Sequence, residues 1–333
     1  MPSKSSFTLS KLTHKSGFSS SQLGIEFKHS MLSHAASVAV LKPSQALTFA
    51  FYSLPIGNSE KKNLLQNRRQ TGVSARNATI NFKMRPEKDL FDILQAVTVD
   101  CKDNGECFTV TDRVAVVERL LENTDYKPVA RKPLALLYAK REVCEGDRVL
   151  LISSHIDCVY SRCLCNDEGD CLRGTFDNSF TNAAVLWAMI NAALPDNVVV
   201  AFTGNEESDS KGAVQAVVAL GQMGCTVQAA LVLDVTNEGW DSGASFTLEN
   251  DLGIDILTGY NIISSLESFS GKFAFKHNSL PDESWDYAEY GIPSLTLCVP
   301  VGGDLHSDAG VLLRKESATE YCNVLSLLAG RLC

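Results

Sequence analysis

From about residue 85 onward, apolar and polar positions alternate between helix-like and strand-like periods. Residues 89–96 and 110–122 place apolar side chains at helical spacing, and Thr111 and Asp112 offer a cap to the second segment. Residues 133–139 and 148–153 are strand-like, and the turn residues Glu145-Gly146-Asp147 between them predict a hairpin or adjacent strands. Residues 181–193 and 212–223 read as helices. Residues 197–203 and 227–235 are continuous apolar runs of strand length, the pattern of strands buried on both faces. A further strand over 294–299 and a closing helix over 318–332 complete the series. Strands that alternate with helices predict an α/β fold, a three-layer αβα sandwich with a mainly parallel central sheet of the phosphorylase/hydrolase-like kind. In such sheets ligands bind at the carboxyl ends of the strands.

Charge divides the chain differently. The 333 residues carry a formal net charge of −9. Residues 1–80 alone carry +8, are rich in Ser and contain no Asp, so the remainder carries −17. We therefore expect two parts, a basic, Ser-rich N-terminal extension over 1–83, disordered or cleaved, and an acidic globular domain over 84–333. The extension has the composition of an organelle transit peptide. It reads equally as an unstructured leader or as sequence upstream of a true start at Met84. An intracellular, cytoplasmic location is expected, with organelle import by the extension as the alternative. No run of about 20 apolar residues is present, so no membrane span is expected. The acidic body speaks against a nucleic-acid partner. Eleven Cys residues are scattered except for Cys158, Cys163, Cys165 and Cys171. That cluster is open between a loop disulfide, reduced thiols and a metal site, and its spacing fits a zinc site poorly.

The ends of the apolar runs carry the chemistry. The run over 150–154 leads into His155-Ile156-Asp157, and that over 198–203 into Gly204-Asn205-Glu206-Glu207. The run over 229–233 leads into Asp234. Asp177-Asn178 precedes a helix, and Asp304-Leu305-His306-Ser307 follows the last strand. Singly, each has an ordinary structural explanation: Asp177 as a helix cap, Glu206 and Glu207 as acids at a helix start. Together they supply imidazole and carboxylate ligands suited to zinc. A pair of ions needs a bridging carboxylate, terminal ligands on both sides and a base for water. Asp157, two residues after His155 on an extended segment, points to the same face and suits the second ring nitrogen of a metal-bound His.

The order His-x-Asp, Asp-Asn, Asn-Glu-Glu, Asp and a late His-Ser over residues 150–307 resembles the co-catalytic zinc exopeptidases, most of all the bacterial leucyl aminopeptidase type. The resemblance implies two zinc ions per chain bridged by Asp177. His155 and Asp234 would complete one position, and Glu207 and His306 the other. Glu206 would be the general base and proton donor, with Asp157 orienting His155. It implies a cis peptide after Asp177. It also implies a substrate region at Asp282-Glu283-Ser284-Trp285-Asp286-Tyr287, where Asp282 would bind a substrate amine and Tyr287 support an oxyanion. The same segment reads equally as an ordinary polar loop. Ser179-Phe180-Thr181-Asn182, bulkier than the resemblance leads one to expect, is expected to narrow the cleft.

The expected partner is a peptide or aminoacyl substrate, and the expected activity is that of a metallo-exopeptidase, an aminopeptidase. Alternatives are hydrolysis of another amide, as in an N-acyl amino acid deacylase, or cyclisation of N-terminal Gln. From a different class, the alternative is a metal-binding scaffold without catalysis. The presence of Glu206 speaks against the scaffold. The oligomeric state is open.

Overall fold

The computed structural model describes residues 88–99, 112–267, 269 and 272–333. The basic extension, Thr111 and Met84 lie outside the described residues. Two helices come first, α1 (Lys88–Val97) and α2 (Asp112–Leu121). Strands β1 (Lys127–Lys132), β2 (Ala135–Ala139) and β3 (Arg148–His155) follow, then β4 (Cys165–Glu168) and β5 (Cys171–Gly174). Next are α3 (Ser179–Ile190), β6 (Val198–Thr203), α4 (Lys211–Gln222) and β7 (Thr226–Thr236). The chain continues through β8 (Phe246–Leu252), α5 (Ile256–Leu266), β9 (Phe273–Lys276) and α6 (Glu283–Glu289). It closes with β10 (Ser294–Gly302), β11 (Val311–Arg314) and α7 (Lys315–Leu332).

The central strands run in the order β6-β3-β7-β10, all parallel. Antiparallel β2 and β1 extend one edge, and β8, antiparallel to β10, extends the other with β9 parallel to it. The end of β10 also leads into a small antiparallel ribbon of β11, β5 and β4. Successive residues of a strand point to opposite faces, and β3 shows the result. Leu150 and Ile152 enter one core together with side chains of α1, α2, α3, α5 and α7. Val149 and Leu151 enter a second core with α4 and Tyr287 of α6. Helices therefore cover both faces of the sheet, and the three-layer architecture expected from the sequence is present. Helix α3 is buried over nearly its whole circumference, as an all-round apolar helix must be.

The sequence reading needs three corrections. Residues 133–139 and 148–153 form neither a hairpin nor neighbours, because β6 lies between β2 and β3. The local hairpin is β1–β2 instead. The segment over 282–287 is no loop. Asp282 caps α6 by accepting the N–H of Ser284 at 2.8 Å. Finally, Ser179, Phe180, Thr181 and Asn182 do not narrow a cleft, since all four are fully buried in the first turn of α3.

Candidate metal centre

The parallel strands bring the acids and histidines to one level. His155 is the last residue of β3 and pairs in register with Thr203, the last of β6. Its neighbour Ser154 pairs with Leu233, so Asp234 emerges beside His155. Glu206 and Glu207 sit on the turn between β6 and α4. Asn205 adopts a left-handed conformation there (φ +62°), which Asn tolerates better than most residues. Its carbonyl accepts the N–H groups of Asp209 at 2.9 Å and Ser210 at 2.6 Å. Asp177 precedes α3, and the Asp177–Asn178 peptide is cis, as the resemblance implied. The amides that follow tie this segment down. Asn178 Nδ2 donates to the carbonyl of Leu233 at 2.8 Å, and Asn182 Nδ2 to that of His155 at 2.7 Å.

The side chains converge. His155 Nε2 lies 3.1 Å from Asp177 Oδ1, 3.5 Å from Asp234 Oδ1 and 3.8 Å from Glu206 Oε2. On the other side of Asp177, His306 Nε2 lies 3.5 Å from Asp177 Oδ2 and 3.5 Å from Glu207 Oε2. Asp177 therefore stands between two groups, one with His155 and Asp234, the other with Glu207 and His306. Asp157 Oδ1 lies 3.5 Å from His155 Nδ1. Seven of the nine sequence-predicted site residues thus come together.

Asp282 and Tyr287 are the two that do not meet a substrate cleft. Tyr287 is fully buried between α6 and the sheet, where its hydroxyl donates to Ser153 Oγ at 2.7 Å. Asp282 is occupied as the α6 cap and as acceptor for Thr296 Oγ1 at 2.7 Å and Asn250 Nδ2 at 3.1 Å. These contacts leave neither Tyr287 for an oxyanion nor Asp282 for a substrate amine.

Electrostatics show what the cluster lacks. Burial raises the pKa values of Glu206, Glu207 and Asp234, and neighbouring carboxylates raise them further. Burial alone would lower that of His155, but Glu206, Asp157, Asp177 and Asp234 together hold it well above the ordinary imidazole range. Asp177 is buried too, yet the imidazoles of His155 and His306 beside it hold it low. The site carries more negative charge than its own cations balance. Two buried carboxylate oxygens in it, Asp177 Oδ1 and Glu207 Oε1, have no hydrogen-bond partner. Ligand atoms of His155, Asp177 and Glu207 lie within 4.8 Å of one another. Orphaned donor atoms, excess negative charge and an imidazole–carboxylate set all fit a zinc-like divalent ion. Among the described residues this is the only such group found, and the cysteine cluster forms none. None of the described cysteines is in a disulfide.

Supporting residues appear that the sequence did not single out. Glu283, at the first turn of α6, is buried beneath the site and accepts Ser153 Oγ at 2.7 Å. Burial pushes its pKa up to about 7. Arg113 of α2 is fully buried and donates to the carbonyls of Val97 at 2.9 Å and Ile156 at 3.1 Å, fixing the chain between His155 and Asp157. Nothing in the periodicity marks either one. Only a charged residue inside an apolar stripe hints at Arg113.

No protein-family model matches the chain, and no curated protein sequence does. Solved structures do share its fold. The LapA aminopeptidase of Legionella pneumophila is 13% identical, with a TM-score of 0.55 over 87% of this chain and 81% of its own. The TET aminopeptidase of a marine sediment Thaumarchaeota archaeon is 12% identical, with a TM-score of 0.59 over 72% of this chain and 96% of its own. The aminopeptidase PepT of Bacillus cereus is 11% identical, with a TM-score of 0.51 over 74% of this chain and 99% of its own. At these identities the likeness establishes the fold. Among the described residues no helix is long and apolar enough to cross a membrane.

Proposed function

We propose that the chain is a metal-dependent exopeptidase, an aminopeptidase of the bacterial leucyl type, with two zinc ions bridged by Asp177. The observation that carries this reading is the placement of Asp177 between two imidazole–carboxylate groups, each within 3.5 Å of one of its oxygens. His155 and Asp234 would hold one ion, Glu207 and His306 the other. Bound there, the ions would supply Lewis-acid polarisation of a scissile carbonyl and a water of lowered pKa.

The chain's own residues supply the rest. Glu206 is mostly buried, carries no ligand role and stands 3.8 Å from His155 Nε2, so it is placed to take a proton from water and return it to the departing amine nitrogen. Asp157 keeps the His155 ring aligned from the Nδ1 side. Asn178 and Asn182 bind backbone carbonyls next to Asp234 and at His155, so the bridging carboxylate cannot move independently of its neighbours. Aminopeptidase neighbours in the fold comparison support this branch over other amide hydrolases.

The test is a panel of peptides with free and acetylated N-termini offered to the zinc-loaded chain. Release of the N-terminal residue from free peptides alone supports the aminopeptidase. Preference for the acetylated series indicates an N-acyl hydrolase, and loss of ammonia from N-terminal Gln indicates a cyclase. Glu206→Gln should abolish turnover while both ions stay bound. Unchanged turnover would remove Glu206 from the mechanism, and a wild-type chain that binds metal but turns over none of these substrates would favour a scaffold.

A further inference from the structure

The two halves of the centre are held differently. His155 and Asp234 belong to central strands, and His155 is only 2% exposed. His306 lies on the connection between β10 and β11, and its side chain is 59% exposed. Its position depends on what restrains that connection. A second segment, following β3, reaches across to it. Tyr160 is 2% exposed, and its hydroxyl donates to the carbonyl of Leu305, the residue before His306. The next residue, Ser161, donates its backbone N–H to Asp308 Oδ1 at 2.7 Å and its hydroxyl to the other oxygen of Asp308. One buried phenol oxygen therefore holds the backbone just before the exposed histidine, and the Ser161–Asp308 contact holds the loop on the far side of His306.

We propose that Tyr160 is a positioning residue for the metal position formed by Glu207 and His306, and that this position is the weaker of the two because one ligand rides on a clasped loop. The inference rests on the two-ion reading above. Without the hydroxyl, the Leu305 carbonyl loses its buried partner, and His306 is freed to swing from Asp177 and Glu207. The His155–Asp234 position keeps all its sheet contacts.

The experiment is a zinc titration of the metal-free full chain against a competing chelator, with bound metal counted by elemental analysis and folding followed by circular dichroism. Wild type should take up two ions in two steps, and His306→Ala should lose the second step, which identifies it. Tyr160→Phe should leave the first step within about threefold of wild type and weaken the second by about tenfold or more, the range usual for residues that orient ligands. Asp308→Ala, which opens the clasp without touching the tyrosine, should weaken the same step. A Tyr160→Phe isotherm identical to wild type would overturn the role of Tyr160, as would equal weakening of both steps in a folded variant. Uptake of both wild-type ions in a single step would overturn the ranking of the two positions. A wild-type chain that takes up no zinc would instead defeat the two-ion reading itself.

Discussion

Asp157 Oδ1 stands 3.5 Å from His155 Nδ1, while the same carboxylate accepts the backbone N–H groups of Glu206 and Glu207, each at 3.3 Å. One side chain therefore links the end of β3 to the turn after β6, joining a proposed metal ligand to the proposed base. Asp157→Asn keeps the shape but puts an NH2 group where one of these acceptors stood. We expect zinc affinity to fall about 10- to 100-fold with the fold retained, measured by chelator competition beside circular dichroism. Unchanged affinity would show that Asp157 serves the turn alone.

Stability of the metal-free chain should fall as pH rises. Glu206, Glu207, Asp234 and Glu283 all have pKa values raised by burial, Glu283 to about 7 from 4.5. His155 and His306 are raised as well. For each, the folded chain holds the proton more tightly than the unfolded chain. Its stabilisation is complete below the unfolded pKa and is lost as pH climbs through the folded one. Asp177 has the opposite sign, but its effect is confined to pH below about 4. Tm without metal should therefore be higher near pH 5 than near pH 8, and added zinc should restore more at the higher pH. A metal-free Tm that rises from pH 5 to pH 8 would contradict the electrostatic account.

Two glycines of α4 should respond oppositely to alanine. A Cβ at Gly212 would lie 2.4 Å from the nitrogen and 2.5 Å from the oxygen of Gly204, and 2.6 Å from the carbonyl oxygen of Leu134. All three are backbone atoms beside the turn that presents Glu206 and Glu207. Gly212→Ala should cost about 1–3 kcal/mol and lower metal affinity by displacing that turn. Gly221 has nothing within 4 Å of a Cβ. Gly221→Ala should leave metal binding alone and add about 0.5–1 kcal/mol through helix propensity. Thermal melts of both variants check the pair.

What could be read from the sequence followed from how strongly each element announces itself. β3, β6 and β7 are apolar runs ending in polar residues, so their carboxyl ends, and with them His155, Glu206, Glu207 and Asp234, stood out. β8 was hidden because Glu249 and Asn250 are buried within it and break the apolar pattern. β4 and β5 are four residues each and carry cysteines and charges. The pairing of β2 with β6 rests on non-local register, which no turn signal encodes. The resemblance implied a substrate role for Tyr287, yet the helical period of α6 turns it inward to Ser153. Tyr160 and Glu283 act through contacts distant in sequence, and their own neighbourhoods give no sign of them.

The central claim is that these acids and histidines form a two-metal centre. Elemental analysis of the purified, desalted chain tests it most directly. Two divalent ions per chain, both lost in a variant lacking His155 and Asp177, is the result the proposal predicts. A folded chain that retains no divalent metal, even after incubation with zinc, would contradict it.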